Sequence, residues 1–284
     1  MKRCLFYWLC TLFLFLTATV GAQELRLKVR RADAVSGKAF ALTISDSTLS
    51  LEQREKVIFN EIKKGNIPNF QRKLIPVSDT TVLGYGTIIT TMYVLPDYFS
   101  IGSDTDYFYV PMTPILAQKV AELTNCSLPT KKMVDLIYKN AAIKLKPQPI
   151  PPTKAMTTVP VFLAHTDSVR NQLKVNEFDH VAGLLTAGNK KDLIVSNKIY
   201  GEKTARVVIY GWHKLDGQAI QPVYHKHTNL WADYSHGIRL VYNQITIGGK
   251  RMSLKKVLKS NTLCNFLSDE GTIRRPWYPI TNYR

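Results

Sequence analysis

The chain has 284 residues, of which 38 are Lys or Arg and 21 are Asp or Glu, so its formal net charge at pH 7 is +17. The basic residues are dispersed along the chain, in short pairs such as Lys63-Lys64 and Lys190-Lys191. This dispersion indicates a solvated surface and argues against a nucleic-acid groove, which concentrates basic residues on one face.

Residues 1–22 have the organisation of a signal peptide. Two basic residues open the segment, an apolar run follows at positions 4–17, and small residues occupy positions 20–22. Because the apolar run is shorter than the roughly 20 residues that span a bilayer, we expect cleavage and no transmembrane anchor. The mature chain is then expected to start at Gln23 with a net charge of +15. In the periplasm or outside the cell, this charge suits an anionic envelope polymer or glycan as the partner.

The first part of the mature chain predicts two short β segments and a helix. Residues 24–30 alternate apolar and basic side chains, as a half-buried strand does, and residues 39–45 are apolar and β-prone. Ser50 and Gln53 have the spacing of a capping box, and Gly65 is a suitable stop. We therefore predict a helix between Ser50 and Gly65.

A hairpin and two more helices are predicted next. Residues 82–95 carry Gly84 and Gly86 before a β-branched run, which predicts a hairpin or a long bent strand. Thr113, followed by a proline, and Thr130 are suitable N-caps. They predict helices that run to about residues 123 and 138. The proline-rich segment that follows predicts an extended connector.

The second half predicts one helix and then mainly strands. The helix is predicted over residues 159–173 and the strands over 193–195, 206–210, 238–242 and 245–247, with Gly248-Gly249 as a hairpin turn and a short helix over 253–259. We therefore predict an α+β fold with helices mainly in the first half and mostly antiparallel sheet in the second. The predicted parts are 23–145, the connector 146–157 and the β-rich part 158–284, which could together form one compact domain.

The stretch 212–240 holds four of the six histidines, so we expect a functional site there. His236 stands where a strand is predicted to begin, and an imidazole can act as a base and then as an acid near neutral pH. Asp233, Tyr234 and Ser235 directly precede it and are candidates to assist it. The alternative is a histidine that is hydrogen-bonded at a strand end and has only a structural role.

A metal site is a second possibility in the same stretch. His225 and His227 are two positions apart, so on a strand both imidazoles would leave the same face. With His213 or His236 they would supply three ligands and leave one position open, as in catalytic zinc sites. A surface pair is the alternative for these histidines. A zinc cofactor is expected only under this hypothesis.

Aromatic and charged residues nearby are candidate substrate contacts. Trp212 and Trp231 offer flat faces that stack on sugar rings, and His213 follows the first of them. Lys191 and Asp192 lead into a predicted strand and could hold an anionic substrate. A place in the core, or in a charged turn before a strand, is the alternative for these side chains.

Several runs carry a resemblance to known proteins. ADYSHGIRL, GWHKLDGQAIQP, GNKKDL and LPTKKMVDLIY resemble a family of secreted bacterial proteins, a resemblance that implies no activity. The chain is more loosely similar to the NlpC/P60 papain-like amidases of peptidoglycan, which place Cys-Ser before a helix and a histidine in a strand of the form S-H-x-G-I. Cys126-Ser127 and Ser235-His236 resemble these elements, although Pro129 intervenes before the helix and no residue separates the histidine from its glycine. The resemblance implies a Cys126 thiolate that attacks an amide with the help of His236.

The expected function combines these observations. We expect an exported hydrolase of peptide or amide bonds in a wall polymer, with His236 as the acid–base group. The alternatives are a non-catalytic binder of anionic glycan or peptidoglycan, and the metal-dependent hydrolase described above. Cys126 and Cys264 are the cysteines left after the leader, and in an oxidising compartment they either pair or remain thiols.

Overall fold

The computed structural model describes residues 23–84, 86–178 and 182–283, and the predicted signal peptide lies outside them. The helices are α1 (Gly37–Thr43), α2 (Leu51–Lys63), α3 (Pro114–Leu123), α4 (Lys131–Asn140), α5 (Val159–Val175) and α6 (Leu254–Lys259). The strands are β1 (Ile75–Leu83), β2 (Gly86–Val94), β3 (Ser100–Gly102), β4 (Tyr107–Tyr109), β5 (Cys126–Ser127), β6 (Ile143–Lys144), β7 (Thr186–Ala187), β8 (Lys191–Leu193), β9 (Ile209–His213), β10 (Ala219–Tyr224), β11 (His236–Gly237), β12 (Val241–Tyr242), β13 (Gln244–Ile247) and β14 (Lys250–Ser253). The predicted α+β class is confirmed.

The main sheet takes strands from both halves of the chain. Its order is β14-β13-β2-β12-β5, with β1 also paired to β2, and its pairings are antiparallel. The largest hydrophobic cluster likewise includes residues from Leu25 to Tyr278. The proline-rich connector therefore does not separate two units with cores of their own.

A second sheet positions the candidate site. Its order is β10-β9-β8-β11, and β11 runs parallel to β8 whereas the other pairings are antiparallel. Two smaller pairs, β3-β4 and β6-β7, complete the strands of the described residues. No helix in the described part of the chain is both long enough and apolar enough to cross a membrane.

The predicted helix caps are confirmed. Ser50 Oγ accepts a hydrogen bond from Gln53 N, and Ser50 N donates to the Gln53 side chain at 2.8 Å, which completes the capping box of α2. Gly65 follows α2 with a φ of +83°, in the left-handed region that favours glycine. The hydroxyls of Thr113 and Thr130 accept from the first turns of α3 and α4.

Replacing Ser50 with alanine is expected to lower the free energy of unfolding by about 1 kcal/mol, because the amide of Gln53 loses its acceptor and the capping box opens. Urea unfolding followed by circular dichroism measures the change. Ser47→Ala is the matched control, because Ser47 is exposed and lies outside the helix. Equal stability of the two variants would show that the capping box contributes nothing.

Two predicted β segments differ in the structure. Residues 39–45 are mostly helical, because Ser36 caps α1 and the helix buries Phe40 and Ala41 in the core. Residues 24–30 form no strand beyond a single bridge between Glu24 and Lys73, so their alternation has no ladder to join. Of the predicted strand 238–242, residues 241–242 form β12, while β11 lies just before this segment, and β10 forms without having been predicted.

Candidate functional site

The candidate site lies where β8 and β11 run side by side. His236 is aligned with Lys191, and Gly237 is aligned with Asp192. A Cβ at Gly237 would lie 2.4 Å from the ring of Tyr98 and 2.6 Å from Lys190 Cβ, so a glycine is needed for this close approach. The parallel pairing brings the run before β11 next to a pair of lysines that is remote in the sequence.

Asp233 is held in place by its neighbours. Its Oδ1 accepts hydrogen bonds from Ser235 N at 2.8 Å and Ser235 Oγ at 2.6 Å, and its Oδ2 accepts from Trp231 Nε1 at 3.1 Å. The same Oδ2 lies 3.7 Å from His236 Nε2. Burial raises the pKa of Asp233, but His236 and these hydrogen bonds outweigh it and lower the pKa to about 2. Asp233 is therefore an oriented carboxylate beside His236.

His236 is buried, and its ring nitrogens make no hydrogen bonds with the described residues. Its side chain has no exposed surface. Burial lowers the pKa of His236 to about 4, although Asp233 acts in the opposite direction. The imidazole is therefore neutral at physiological pH. A histidine that only secured a strand end would be expected to use these nitrogens in hydrogen bonds.

A buried lysine, Lys190, lies next to this pair, and its role could not be predicted from the sequence. Lys190 Nζ donates to the carbonyl oxygen of Tyr234 at 2.7 Å and lies 2.9 Å from Nδ1 of His165 in α5. Burial lowers the pKa of Lys190 to about 7. Burial and the nearby lysine lower the pKa of His165 to about 2. In the sequence, Lys190 resembles one half of a surface pair, and no local signal shows that it is buried.

Three partly exposed residues, Lys191, His227 and Trp231, lie near Asp233. Lys191 Nζ is 4.8 Å from the centre of the Trp212 ring, and the rings of His227 and Trp231 stack 4.4 Å apart. We call Lys191, Trp212, His227 and Trp231 the aromatic rim. Trp212 is buried and has a φ of +57°, a conformation that is costly for a bulky residue and recurs at functional sites. The structure thus brings two of the predicted substrate contacts, Lys191 and Trp231, close to Asp233, and the third, Trp212, against Lys191.

Two predicted site residues, Tyr234 and Asp192, make hydrogen bonds that give them other roles. The hydroxyl of Tyr234 donates to the carbonyl oxygen of Ile150 and accepts from the amide of the same residue, so it anchors the connector and does not assist His236. Asp192 is buried and accepts a 2.7 Å hydrogen bond from the hydroxyl of Tyr98. Burial raises the pKa of Asp192 to about 6. The prediction that Asp192 contacts substrate is therefore not supported by its position.

His213 belongs to a separate cluster. Its Nε2 lies 3.2 Å from Oδ1 of Asp135, and its ring stacks on Tyr138 with centroids 4.5 Å apart. Within the described ranges, no group of three or more His, Cys, Asp or Glu side chains is arranged to hold a metal ion. The zinc hypothesis built on His213, His225 and His227 therefore has no geometric support.

The cysteines do not form the predicted arrangements. Cys126 is buried in β5, paired with Tyr242 of β12, and its thiol donates to the carbonyl oxygen of Thr124 at 3.5 Å. Burial raises the pKa of Cys126 to about 12, which is opposite to what an activated nucleophile needs. Cys126 and Cys264 are both free thiols, so the alternative of a disulfide between them does not occur.

No family model, curated protein or solved structure matches this chain significantly.

Proposed function

We propose that this protein is an exported hydrolase that cleaves an amide bond in an anionic cell-envelope polymer, with His236 as its acid–base group. One observation carries the proposal: a buried imidazole without a hydrogen-bond partner among the described residues lies 3.7 Å from an oriented carboxylate, Asp233. In general base catalysis a neutral imidazole takes a proton, and a nearby carboxylate stabilises the imidazolium that forms.

The proposed reaction uses water as the nucleophile. His236 takes a proton from the water while the water oxygen bonds to the amide carbon, and the carbonyl oxygen becomes an oxyanion. His236 then gives the proton to the amide nitrogen, the carbon–nitrogen bond breaks, and the amine leaves. Asp233 stabilises the imidazolium that exists between these two transfers.

Lys191 suits a supporting role in this reaction. Its ammonium group is close enough to affect the pKa values of both Asp233 and His236, and its side chain is partly exposed. A cation beside a developing oxyanion stabilises the transition state more than the ground state. The strongly basic chain, with its predicted signal peptide, supports the choice of an anionic envelope polymer as the substrate.

A non-catalytic binder is the second candidate, and the aromatic rim favours it. The Lys191 ammonium lies against Trp212 and the His227 ring lies against Trp231, so flat faces and positive charge occur together. Such surfaces hold sugars and anionic groups without any chemistry. This candidate needs no proton transfer at His236.

The rate of amide cleavage is expected to rise with pH and to be half-maximal near pH 4, because catalysis needs His236 in its neutral form and its pKa is about 4. The rate is measured as the release of primary amines from purified peptide-containing wall polymer. A sedimentation assay measures binding to the same polymer. Binding without amine release at any pH would overturn the hydrolase and favour the binder.

A further inference from the structure

A separate cavity of about 420 Å³ lies between α5, the β3–β4 hairpin and the segment that leads into β7. Helix α5 contributes Asp167, Arg170 and Asn171 to its wall, whereas His165 of the same helix contacts Lys190. Neither Asp233 nor a member of the aromatic rim lines the cavity. Its volume lies within the range of small-molecule sites, roughly 300–1,000 Å³.

A buried carboxylate reaches this cavity. Asp97 is 5% exposed, and its oxygens accept hydrogen bonds from Tyr98 N at 2.7 Å and from the hydroxyl of Tyr109 at 2.5 Å. Each carboxylate oxygen can accept two hydrogen bonds, so acceptor capacity remains on both. The fully buried Asn189 lies close enough to act on the pKa of Asp97, yet neither of its amide atoms makes a hydrogen bond of ordinary geometry with the described residues.

The walls around this carboxylate are largely aromatic and apolar. Phe70, Tyr107 and Phe178 line the cavity, and the rings of Phe70 and Tyr107 meet edge to face with centroids 5.4 Å apart. Ile143 and Leu173 add aliphatic surface. These residues belong to a second hydrophobic cluster, distinct from the main core, so the cavity offers contacts for an apolar body next to Asp97.

The charges at the cavity favour a cationic ligand. Asp104 and Asp167 line it at exposed positions. Arg170 is already engaged, because it donates to the carbonyl oxygen of Thr105 at 2.5 Å and lies over the ring of Tyr107. Among the charged lining residues that the structure describes, Asp97 is the buried one. Lys174 lines the cavity at an exposed position, and the buried Arg239 acts on Asp97 from the protein interior. The described lining residues thus carry three carboxylates and two cations on a chain that is otherwise strongly basic.

We propose that this cavity binds a small ligand that carries a protonated primary amine on an apolar body, with Asp97 as its counter-ion. The ammonium group has three donors, which suit the spare acceptors of Asp97. The apolar body packs on Phe70 and Tyr107. This site does not include His236, so its test is independent of the test of the proposed hydrolase.

Three probes of similar size test the site on the full mature chain: benzylamine, benzyl alcohol and benzoate. By calorimetry, benzylamine is expected to bind at least about tenfold more tightly than benzyl alcohol, and benzoate is expected not to bind, because a desolvated carboxylate discriminates strongly by charge. Asp97→Asn is expected to reduce the affinity for benzylamine to that for benzyl alcohol.

A second variant keeps the test decisive if Asp97→Asn does not fold. Asn171 is exposed on α5 and lines the cavity, so Asn171→Trp is expected to obstruct it and abolish binding of both benzylamine and benzyl alcohol. Val175→Trp is the matched control, because Val175 is exposed on the same helix and does not line the cavity. Equal affinity for benzylamine and benzyl alcohol in the wild type, or unchanged benzylamine binding in Asn171→Trp, would overturn the proposal.

Discussion

Replacing His236 with glutamine is expected to lower the rate of amide cleavage by roughly 10²–10⁴-fold, the usual contribution of a general acid–base group. The free energy of unfolding is expected to change little. Neither ring nitrogen bonds to a described residue, so the substitution leaves no protein donor or acceptor without its partner. Amine release from wall polymer and urea unfolding, performed on the same preparation, measure the two effects.

His225→Gln is the matched control for this variant. His225 is partly exposed and lies outside the contacts that hold Asp233. It is expected to keep the wild-type rate. A His236→Gln protein that loses several kcal/mol of stability, but whose surviving folded fraction cleaves at the wild-type rate, would show that His236 is structural. If the wild type cleaves nothing and both variants bind the polymer, the protein is a non-catalytic binder.

Replacing Arg239 with methionine is expected to lower the free energy of unfolding by about 3–5 kcal/mol, because a buried charge network loses its cation. The side chain is fully buried, and it donates to the carbonyl oxygens of Leu95 at 2.8 Å and Thr186 at 2.6 Å. Its positive charge also opposes the rise in pKa that burial causes at Asp97 and Asp192. The variant leaves two acceptors and two buried carboxylates without this partner.

The loss of stability in this variant is expected to grow as the pH rises through about 6, the pKa of Asp192 in the wild type. Without Arg239 the folded-state pKa of Asp192 rises further above its unfolded value, so protonation stabilises the folded state at low pH and this stabilisation is lost at higher pH. Urea unfolding at several pH values measures the difference from the wild type.

Arg251→Met is the control for the loss of one arginine, since Arg251 is exposed, and it is expected to change stability little. A deficit for Arg239→Met that is below about 1 kcal/mol, or that is the same at every pH, would contradict the coupling to the buried carboxylates.

The parts of the fold that could be predicted from the sequence are those that short-range interactions determine. The caps at Ser50, Thr113 and Thr130 act within one helical turn, so local sequence identified their helices. A strand needs a neighbour, and the alternating residues 24–30 find only one bridge. In residues 39–45, the Ser36 cap and burial of one helical face outweigh the β-prone composition.

In the candidate site, likewise, the short-range contacts could be predicted from the sequence and the long-range contacts could not. Asp233, Ser235 and His236 lie within four consecutive positions, so their proximity could be predicted from the sequence. Their proximity to Lys190 depends on the parallel alignment of β11 with β8. Their proximity to His165 depends on the packing of α5 against this region. Asp97 follows a predicted strand as an ordinary polar residue, and only tertiary packing buries it beside Tyr109. Long-range packing of this kind leaves no periodic pattern in the sequence.

The strand order of the main sheet also determines when the chain can fold during synthesis. β2 can form its hairpin with β1 early, but its other partners are β12 and β13, so one edge of β2 remains open until residues 241–247 have been made. β5 likewise depends on β12. Because the long-range pairings that close the sheet form late, the nascent chain stays incompletely folded through most of its synthesis. An incompletely folded chain can still be threaded through a narrow channel, whereas a chain that completed its sheet early could not.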